Sequence, residues 1–181
     1  MELPEQIRPE YDRWYRFMED RVEFWHHASI FHTKAHCARV LRFALMIAEK
    51  QGLSPADSEL LATASVFHDS RRLDDGYDTG HGQRAADYYQ EFCEKNGQNF
   101  DPLCYHVIYW HDRHDAEGIA AIENLLPRRD NDVLLYQIFK DADALDRFRL
   151  GPNGLDVRYL RTDAALELVD YARALWDEEC R

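Results

Sequence analysis

Apolar side chains recur along this chain at the spacing of one helix face, and this pattern constrains the fold more than any other feature. In 34–51, for example, Val40, Phe43, Ala44 and Ile47 form one stripe, which is the period of a buried helix face. The alternation typical of strands is nearly absent. The sequence therefore predicts an all-α helical bundle, with helices at 8–28, 34–51, 55–68, 81–96, 101–111, 115–126, 131–148 and 163–179.

The residues between these segments are typical of helix ends. Gly52 suits the end of the second helix, and Ser54 followed by Pro55 suits the start of the third. Thr162 or Asp163 is expected to cap the last helix. These signals agree with the helices that the apolar period predicts.

Three of the predicted helices carry an ionisable side chain at a position that continues the apolar stripe. The residues are His36, the pair His68-Asp69, and Asp143. Such groups are costly to bury unless something pairs with them, and one divalent cation would satisfy all four residues. We therefore predict a metal site. It requires His36 and Asp143 to lie within about 6 Å of each other, because ligand bonds are only about 2.0–2.2 Å long.

The predicted ligand set contains two imidazoles and two carboxylates. A mixed nitrogen and oxygen set leaves the ion open among Mn, Fe, Co, Ni and Mg, and we favour manganese or iron over zinc. Asp141 and Asp146 flank Asp143, but we place neither in the metal shell. Asp141 is expected to face away, and Asp146 to reach an arginine or cap a turn.

Length and charge limit the other function classes. With 181 residues, of which 45% are hydrophobic, the chain can bury one sizeable core, and we expect 1–181 to form one domain. The net charge of −12 argues against duplex nucleic acid as a partner. The longest apolar stretch, 43–48, is too short to span a membrane, and the N-terminus lacks an apolar leader. We expect a cytoplasmic protein. Its four cysteines have no CxxC spacing and are expected to be reduced: Cys37, Cys93, Cys104 and Cys180.

The order of these motifs resembles the HD-domain superfamily of metal-dependent phosphohydrolases. His36 is followed by Arg39-Val40, then by His68-Asp69, and then by 141–146 (DADALD), and the likeness covers about 30–150. The resemblance implies a helical HD-type domain, with the terminal helices packed on it. It also implies a divalent metal held by His36, His68, Asp69 and Asp143, and hydrolysis of a phosphate ester or anhydride. His81 and His111 stand where some members carry further histidines, which hold a second ion or contact the substrate phosphate.

Departures from the family pattern narrow the subclass. Ser70-Arg71-Arg72 replaces the small hydrophobe and glycine that often follow the His-Asp pair. The Glu-Asp pair of guanosine-tetraphosphate hydrolases is missing, and Gly76-Tyr77-Asp78 lacks the proline of the GYP signature of cyclic dinucleotide phosphodiesterases. Both subclasses are disfavoured.

The catalytic candidates are Asp69, His111, Arg71 and Arg72. Asp69 or His111 would manage protons, and Arg71 or Arg72 would balance phosphate charge. The alternative for the arginines is pairing with the acidic loop at Asp74, Asp75 or Asp78.

The sequence therefore predicts a metal-dependent phosphohydrolase acting on a small phosphorylated substrate such as a nucleotide. Two alternatives stay open: a nonhydrolytic nucleotide-binding sensor or scaffold with the same fold, and a diiron oxygenase. The acidic surface and the aromatic N-terminal helix leave room for a homodimer.

Overall fold

The chain folds into helices joined by turns, and the described residues contain no strand. A computed structural model describes residues 1–26, 29, 33–76 and 78–179. Its helices are α1 (Arg8–Arg21), α2 (Lys34–Lys50), α3 (Pro55–Phe67), α4 (His81–Asn96), α5 (Pro102–Trp110), α6 (Asp115–Glu123), α7 (Asp132–Leu145), α8 (Asp163–Leu166) and α9 (Val169–Glu179), with 3₁₀ turns at Asp146–Leu150 and Val157–Tyr159. The all-α prediction is confirmed. Among these helices, none has both the length and the apolar character needed to cross a bilayer.

Side-chain caps fix where several helices begin. The hydroxyl of Thr33 accepts a hydrogen bond from the backbone N–H of His36 at the start of α2. Ser54 caps α3 and Thr162 caps α8 in the same way, as predicted. Each such cap is worth about 1 kcal/mol. Gly52 follows the end of α2 with a φ of 62°, a left-handed conformation that glycine adopts without strain.

Helix α2 forms the centre of the core. Every residue from Val40 to Ala48 is buried, and the helix packs most extensively against α3 and α7. The largest fully buried side chains of this region include Phe43 in α2, Phe67 in α3 and Phe139 in α7. Burying one such side chain stabilises the fold by about 1.5–3 kcal/mol. The three helices that carry the predicted metal ligands are therefore the ones that share this core.

The first helix is shorter than the predicted 8–28, because it ends at Arg21. Val22 has an extended backbone, with φ −97° and ψ 118°, and both Val22 and Phe24 are buried. Side chains two residues apart face the same side of an extended chain, so this segment packs its apolar side chains inward without a helix. The N–H of Trp25 donates to the carbonyl of Ser70 at 3.0 Å, which ties the segment to the loop after His68-Asp69.

The last predicted helix is divided into α8 and α9. The division follows Leu166, where a tight turn joins the N–H of Leu168 to the carbonyl of Ala165. Asp141 fixes the start of α8, since its buried carboxylate accepts from the backbone N–H groups of Arg161 and Thr162. Asp141 thus faces the C-terminal segment rather than the metal ligands, as expected.

The described cysteines are Cys37, Cys93 and Cys104, and all three are free and buried. Cys180 and Tyr77, which also entered the sequence predictions, lie outside the described residues.

Candidate metal centre

The four predicted metal ligands meet in the core between α2, α3 and α7. His36 Nε2 lies 3.2 Å from His68 Nε2, 3.5 Å from Asp69 Oδ2 and 3.3 Å from Asp143 Oδ1. The side chains of His36, His68 and Asp69 are almost completely buried, whereas that of Asp143 is 30% exposed. The distance requirement for His36 and Asp143 is therefore met, and the exposed edge of Asp143 is where solvent reaches the group. We call this group the first position.

A second group of ligands shares Asp69 with the first. Asp69 Oδ1 lies 3.1 Å from His81 Nε2 and 3.6 Å from His111 Nε2, and these two nitrogens are 2.9 Å apart. All three side chains are buried. We call this group the second position. The two oxygens of Asp69 thus face two different pairs of histidines.

Hydrogen bonds fix the orientation of all four imidazoles. The Nδ1 atoms of His68, His81 and His111 each lie 2.7–2.9 Å from a backbone carbonyl oxygen three residues earlier, namely of Ser65, Asp78 and Ile108. A carbonyl oxygen only accepts, so each Nδ1 carries a hydrogen and donates it. For His68 and His111, which directly follow α3 and α5, the carbonyls belong to the last helical turn, where such groups lack helical partners.

His36 is oriented by a carboxylate instead. Its Nδ1 donates to Asp146 Oδ2 at 2.7 Å, and Arg39 donates from Nε to Oδ1 at 2.5 Å and from Nη2 to Oδ2 at 3.0 Å. The sequence analysis predicted that Asp146 would contact an arginine or cap a turn, but it missed the contact between Asp146 and His36. The available signal was the helical spacing, because Arg39 follows His36 by three residues and Asp146 follows Asp143 by three.

The spacing of the Nε2 atoms fits a metal ion. With each Nδ1 donating, a neutral imidazole exposes a bare lone pair at Nε2, and two lone pairs facing each other at about 3 Å repel unless a cation or a proton lies between them. Two ligands at right angles on an ion with bonds of about 2.1 Å are about 3.0 Å apart. The observed separations of 3.2 and 2.9 Å agree with that value at both positions.

The ionisation of the ligands also suits a cation. Burial lowers the pKa of His68 to about 3, against the opposing charge of Asp69, so this imidazole is neutral. The surrounding histidines hold the pKa of Asp69 well below its usual value although the carboxyl is buried. The pKa of Asp143 is likewise lowered, by His36, against its desolvation. Both carboxylates are therefore charged and can act as ligands.

The charge of the carboxylates acts on His36 and His81. Burial opposes protonation of both rings, yet Asp143 and Asp146 raise the pKa of His36, and Asp69 raises that of His81. A proton can thus take the place that a metal ion would have at either position.

The structure separates the two candidate arginines. Arg72 lies at the second position, with Nη1 3.7 Å from Asp69 Oδ1 and 3.2 Å from both ring nitrogens of His81. Arg71 points elsewhere: its guanidinium lies 3.3 Å from the ring centre of Tyr88 and donates to the carbonyl of Glu23. Adjacent residues of a turn diverge, and Arg71 is taken up by the segment that follows α1. Arg71 was predicted as a catalytic residue, but the structure does not bring its side chain to the site.

Two further residues support the second position from behind. Asp112 accepts from the N–H of Gly80 at 2.6 Å and lies 3.5 Å from His81 Nδ1, which fixes the start of α4. Lys140 donates to the carbonyls of His111 and Arg113 at 2.7 and 2.8 Å, so it anchors the end of α5 to α7. Asp112 was not proposed from the sequence, although it follows His111 as Asp69 follows His68.

The comparisons with known proteins give one match. A family model described as the HD domain matches residues 33–147, which is more than half of the chain and includes every ligand of both positions. No curated protein and no solved structure matches the chain significantly.

Proposed function

Because the chain belongs to the HD-domain family, whose members are mostly metal-dependent phosphohydrolases, we propose that it hydrolyses a phosphate ester or anhydride bond of a nucleotide or another small phosphorylated metabolite. The observation that carries the proposal is the shared carboxylate of Asp69. Its two oxygens face two pairs of histidines, each with an Nε2 spacing that suits two ligands of a divalent ion.

The proposed ligands of the first ion are His36, His68, Asp69 and Asp143, and those of a second ion are Asp69, His81 and His111. A divalent ion held there supplies a water of lowered pKa and a positive charge that polarises the phosphoryl oxygen. Manganese or iron suits the mixed nitrogen and oxygen ligands. We assign His81 and His111 to an ion rather than to phosphate contact, because their Nε2 atoms lie 2.9 Å apart and both lie within 3.6 Å of Asp69 Oδ1, which suits two nitrogens and one oxygen around a single ion.

The remaining residues of the site have defined tasks in this proposal. Asp69 offers one oxygen to each position, and the buried ring of His68 stays neutral. The guanidinium of Arg72 keeps its charge and can donate to phosphate oxygens, which makes it the candidate for balancing phosphate charge. The partly exposed carboxylate of Asp143 marks the side from which a substrate would approach.

The first experiment compares wild-type protein with an Asp69→Ala variant, both purified without chelator. Metal content is measured by elemental analysis, and phosphate release on nucleoside mono- and triphosphates, dinucleotides and sugar phosphates. We expect metal and turnover in the wild type and neither in the variant. Asp156→Ala, which removes an exposed carboxylate from a surface pair with Arg158, is the control and should keep both.

The outcomes separate the hypotheses. Absence of metal from both proteins would refute the site itself. Metal without turnover on the whole panel would refute the hydrolase, and nucleotide-induced thermal stabilisation without product would then favour the sensor.

The shared carboxylate also favours one second candidate, a diiron oxygenase, because that chemistry needs both positions filled. Loading the protein with ferrous iron under nitrogen and then admitting oxygen tests it. An oxygen-dependent change in absorbance that is lost in His81→Ala would support the oxygenase. An unchanged spectrum would rule against it.

A further inference from the structure

The two positions differ in the number of carboxylates that face them. Asp69 and Asp143 face the first position, and Asp146 behind His36 is paired with Arg39 and lies 3.7 Å from Arg149. The second position has one carboxylate oxygen, from Asp69. The acceptors behind His81 and His111 are neutral backbone carbonyls.

The charged groups behind the second position, Asp112 and Lys140, have opposite signs. Asp112 lies 3.5 Å from His81 Nδ1, and its carboxylate also accepts from the N–H groups of Gly80 and Gly82. Lys140 places a positive charge on the carbonyl of His111. Among the side chains that face each position directly, the first therefore has two carboxylates and the second has one.

Arg72 adds a fixed positive charge at the second position. Its Nη1 is equidistant, at 3.2 Å, from both ring nitrogens of His81. The lone pairs of an imidazole diverge in the ring plane, so an atom this close to both nitrogens lies over the ring face. The Nε2 lone pair of His81 therefore stays available to an ion, while the guanidinium remains beside it.

The guanidinium is held in this place by the backbone of its own loop. Nη2 donates to the carbonyl of Gly76 at 2.8 Å, and Nε lies 3.3 Å from the carbonyl of Asp74. Arg72 is 7% exposed, which limits solvent screening of its charge. An ion at the second position would therefore meet a positive charge that cannot move away freely.

We infer that the two positions bind divalent ions with unequal affinity and that Arg72 is the residue that weakens the second. This inference rests on the proposed function, because it assumes that both positions hold ions. It deepens that function by setting the order of loading: at limiting metal the first position fills, and the second fills only at higher concentration.

The test is a calorimetric titration of the metal-free, full-length protein with Mn²⁺. We expect two steps in the wild type, with the second weaker. Arg72→Met removes the charge and should tighten the second step about 10- to 100-fold, the range for changes behind metal ligands, while the first step changes less than about threefold. Arg72→Lys keeps a charge and should keep the second step weak.

Arg71→Met is the matched control, because it removes the same charge from the neighbouring residue, whose guanidinium packs on Tyr88. It should leave both steps unchanged. If Arg72→Met does not fold by circular dichroism, Arg72→Gln, which retains donors for the loop carbonyls, takes its place with the same expected result.

Two binding steps of equal affinity in the wild type would overturn the inference. So would an Arg72→Met variant in which the second step is absent, or is no tighter than in the wild type. A wild type that binds no ion at all would instead overturn the proposed function. The two failures are therefore distinguishable in one titration.

Discussion

Replacing Asp146 by asparagine tests whether the carboxylate behind His36 sets metal affinity. Asp146 uses both oxygens as acceptors: Oδ1 accepts from Arg39, and Oδ2 accepts from His36 Nδ1 and from Arg39. Asparagine has the same shape but only one acceptor oxygen, so its NH₂ group must face a donor on one side. The variant therefore loses a hydrogen bond whichever way its amide is turned.

Two effects set the expected size of the change. Outer-shell partners of metal-bound histidines are typically worth 10- to 100-fold in metal affinity, or about 1.4–2.8 kcal/mol. Breaking a buried ion pair costs about 3–5 kcal/mol of folding stability. Because Arg39 is 13% exposed, we expect a loss near the lower limit of that range, and the metal-free variant should still fold.

The assay is Mn²⁺ affinity by calorimetry together with urea unfolding of the metal-free protein. Asp141→Asn is the matched control, since it changes a buried carboxylate five residues earlier, in α7, that accepts from Thr162 and Arg161 instead. It should lower stability and leave metal affinity unchanged. If both variants weaken Mn²⁺ binding equally, or if Asp146→Asn changes it less than about threefold, Asp146 does not position His36.

Three further predictions follow from the packing, the charges and the metal centre. Gly82→Ala would place its Cβ 2.7–2.9 Å from backbone carbonyls of α5 and should cost about 1–3 kcal/mol in a urea melt, whereas Gly76→Ala meets only the flexible side chain of its neighbour Asp74 and should cost little. Burial opposes the charge of Asp115, but Arg161 lowers its pKa. The ion pair therefore stabilises the fold above the ordinary carboxyl pKa, and this stabilisation is lost as pH falls. Asp115→Asn should be less stable than wild type at pH 7, and the difference in stability should shrink towards pH 3. Removing metal that was present at a free concentration of 100 times its Kd should lower the free energy of unfolding by about 2.7 kcal/mol, and hence the melting temperature by about 5–11 °C. An unchanged melting temperature would contradict metal binding to the folded state.

The helical period predicted the ligands of the first position, because it shows which side chains share the buried face of each helix. His36 and Asp143 both continue an apolar stripe, and the structure places their side chains 3.3 Å apart. The period does not say how two helices pair along their lengths. The spacing places Asp146 on the same side as Asp143, but its contact with His36 also depends on how α7 packs against α2, which the spacing alone does not give.

Residues outside the helices were harder to predict. The predicted first helix, 8–28, runs past Arg21, where the chain becomes extended and buries Val22 and Phe24 without a helix. Arg71 and Arg72 were equivalent in sequence, since no helical period applies after α3. Their directions are set by tertiary contacts, with Tyr88 for one and with the carbonyl of Gly76 for the other.

The hydrogen bonds that anchor the imidazoles also limit the size of ion that the centre can bind. Each Nδ1 is tied to a carbonyl or a carboxylate, so the Nε2 separations of 3.2 and 2.9 Å cannot widen without breaking a buried hydrogen bond. Calcium prefers oxygen ligands at 2.3–2.6 Å, and two ligands at right angles around it would stand about 3.3–3.7 Å apart. The spacing of 2.9 Å at the second position is therefore shorter than calcium needs, and at both positions the histidine nitrogens are ligands that calcium does not prefer.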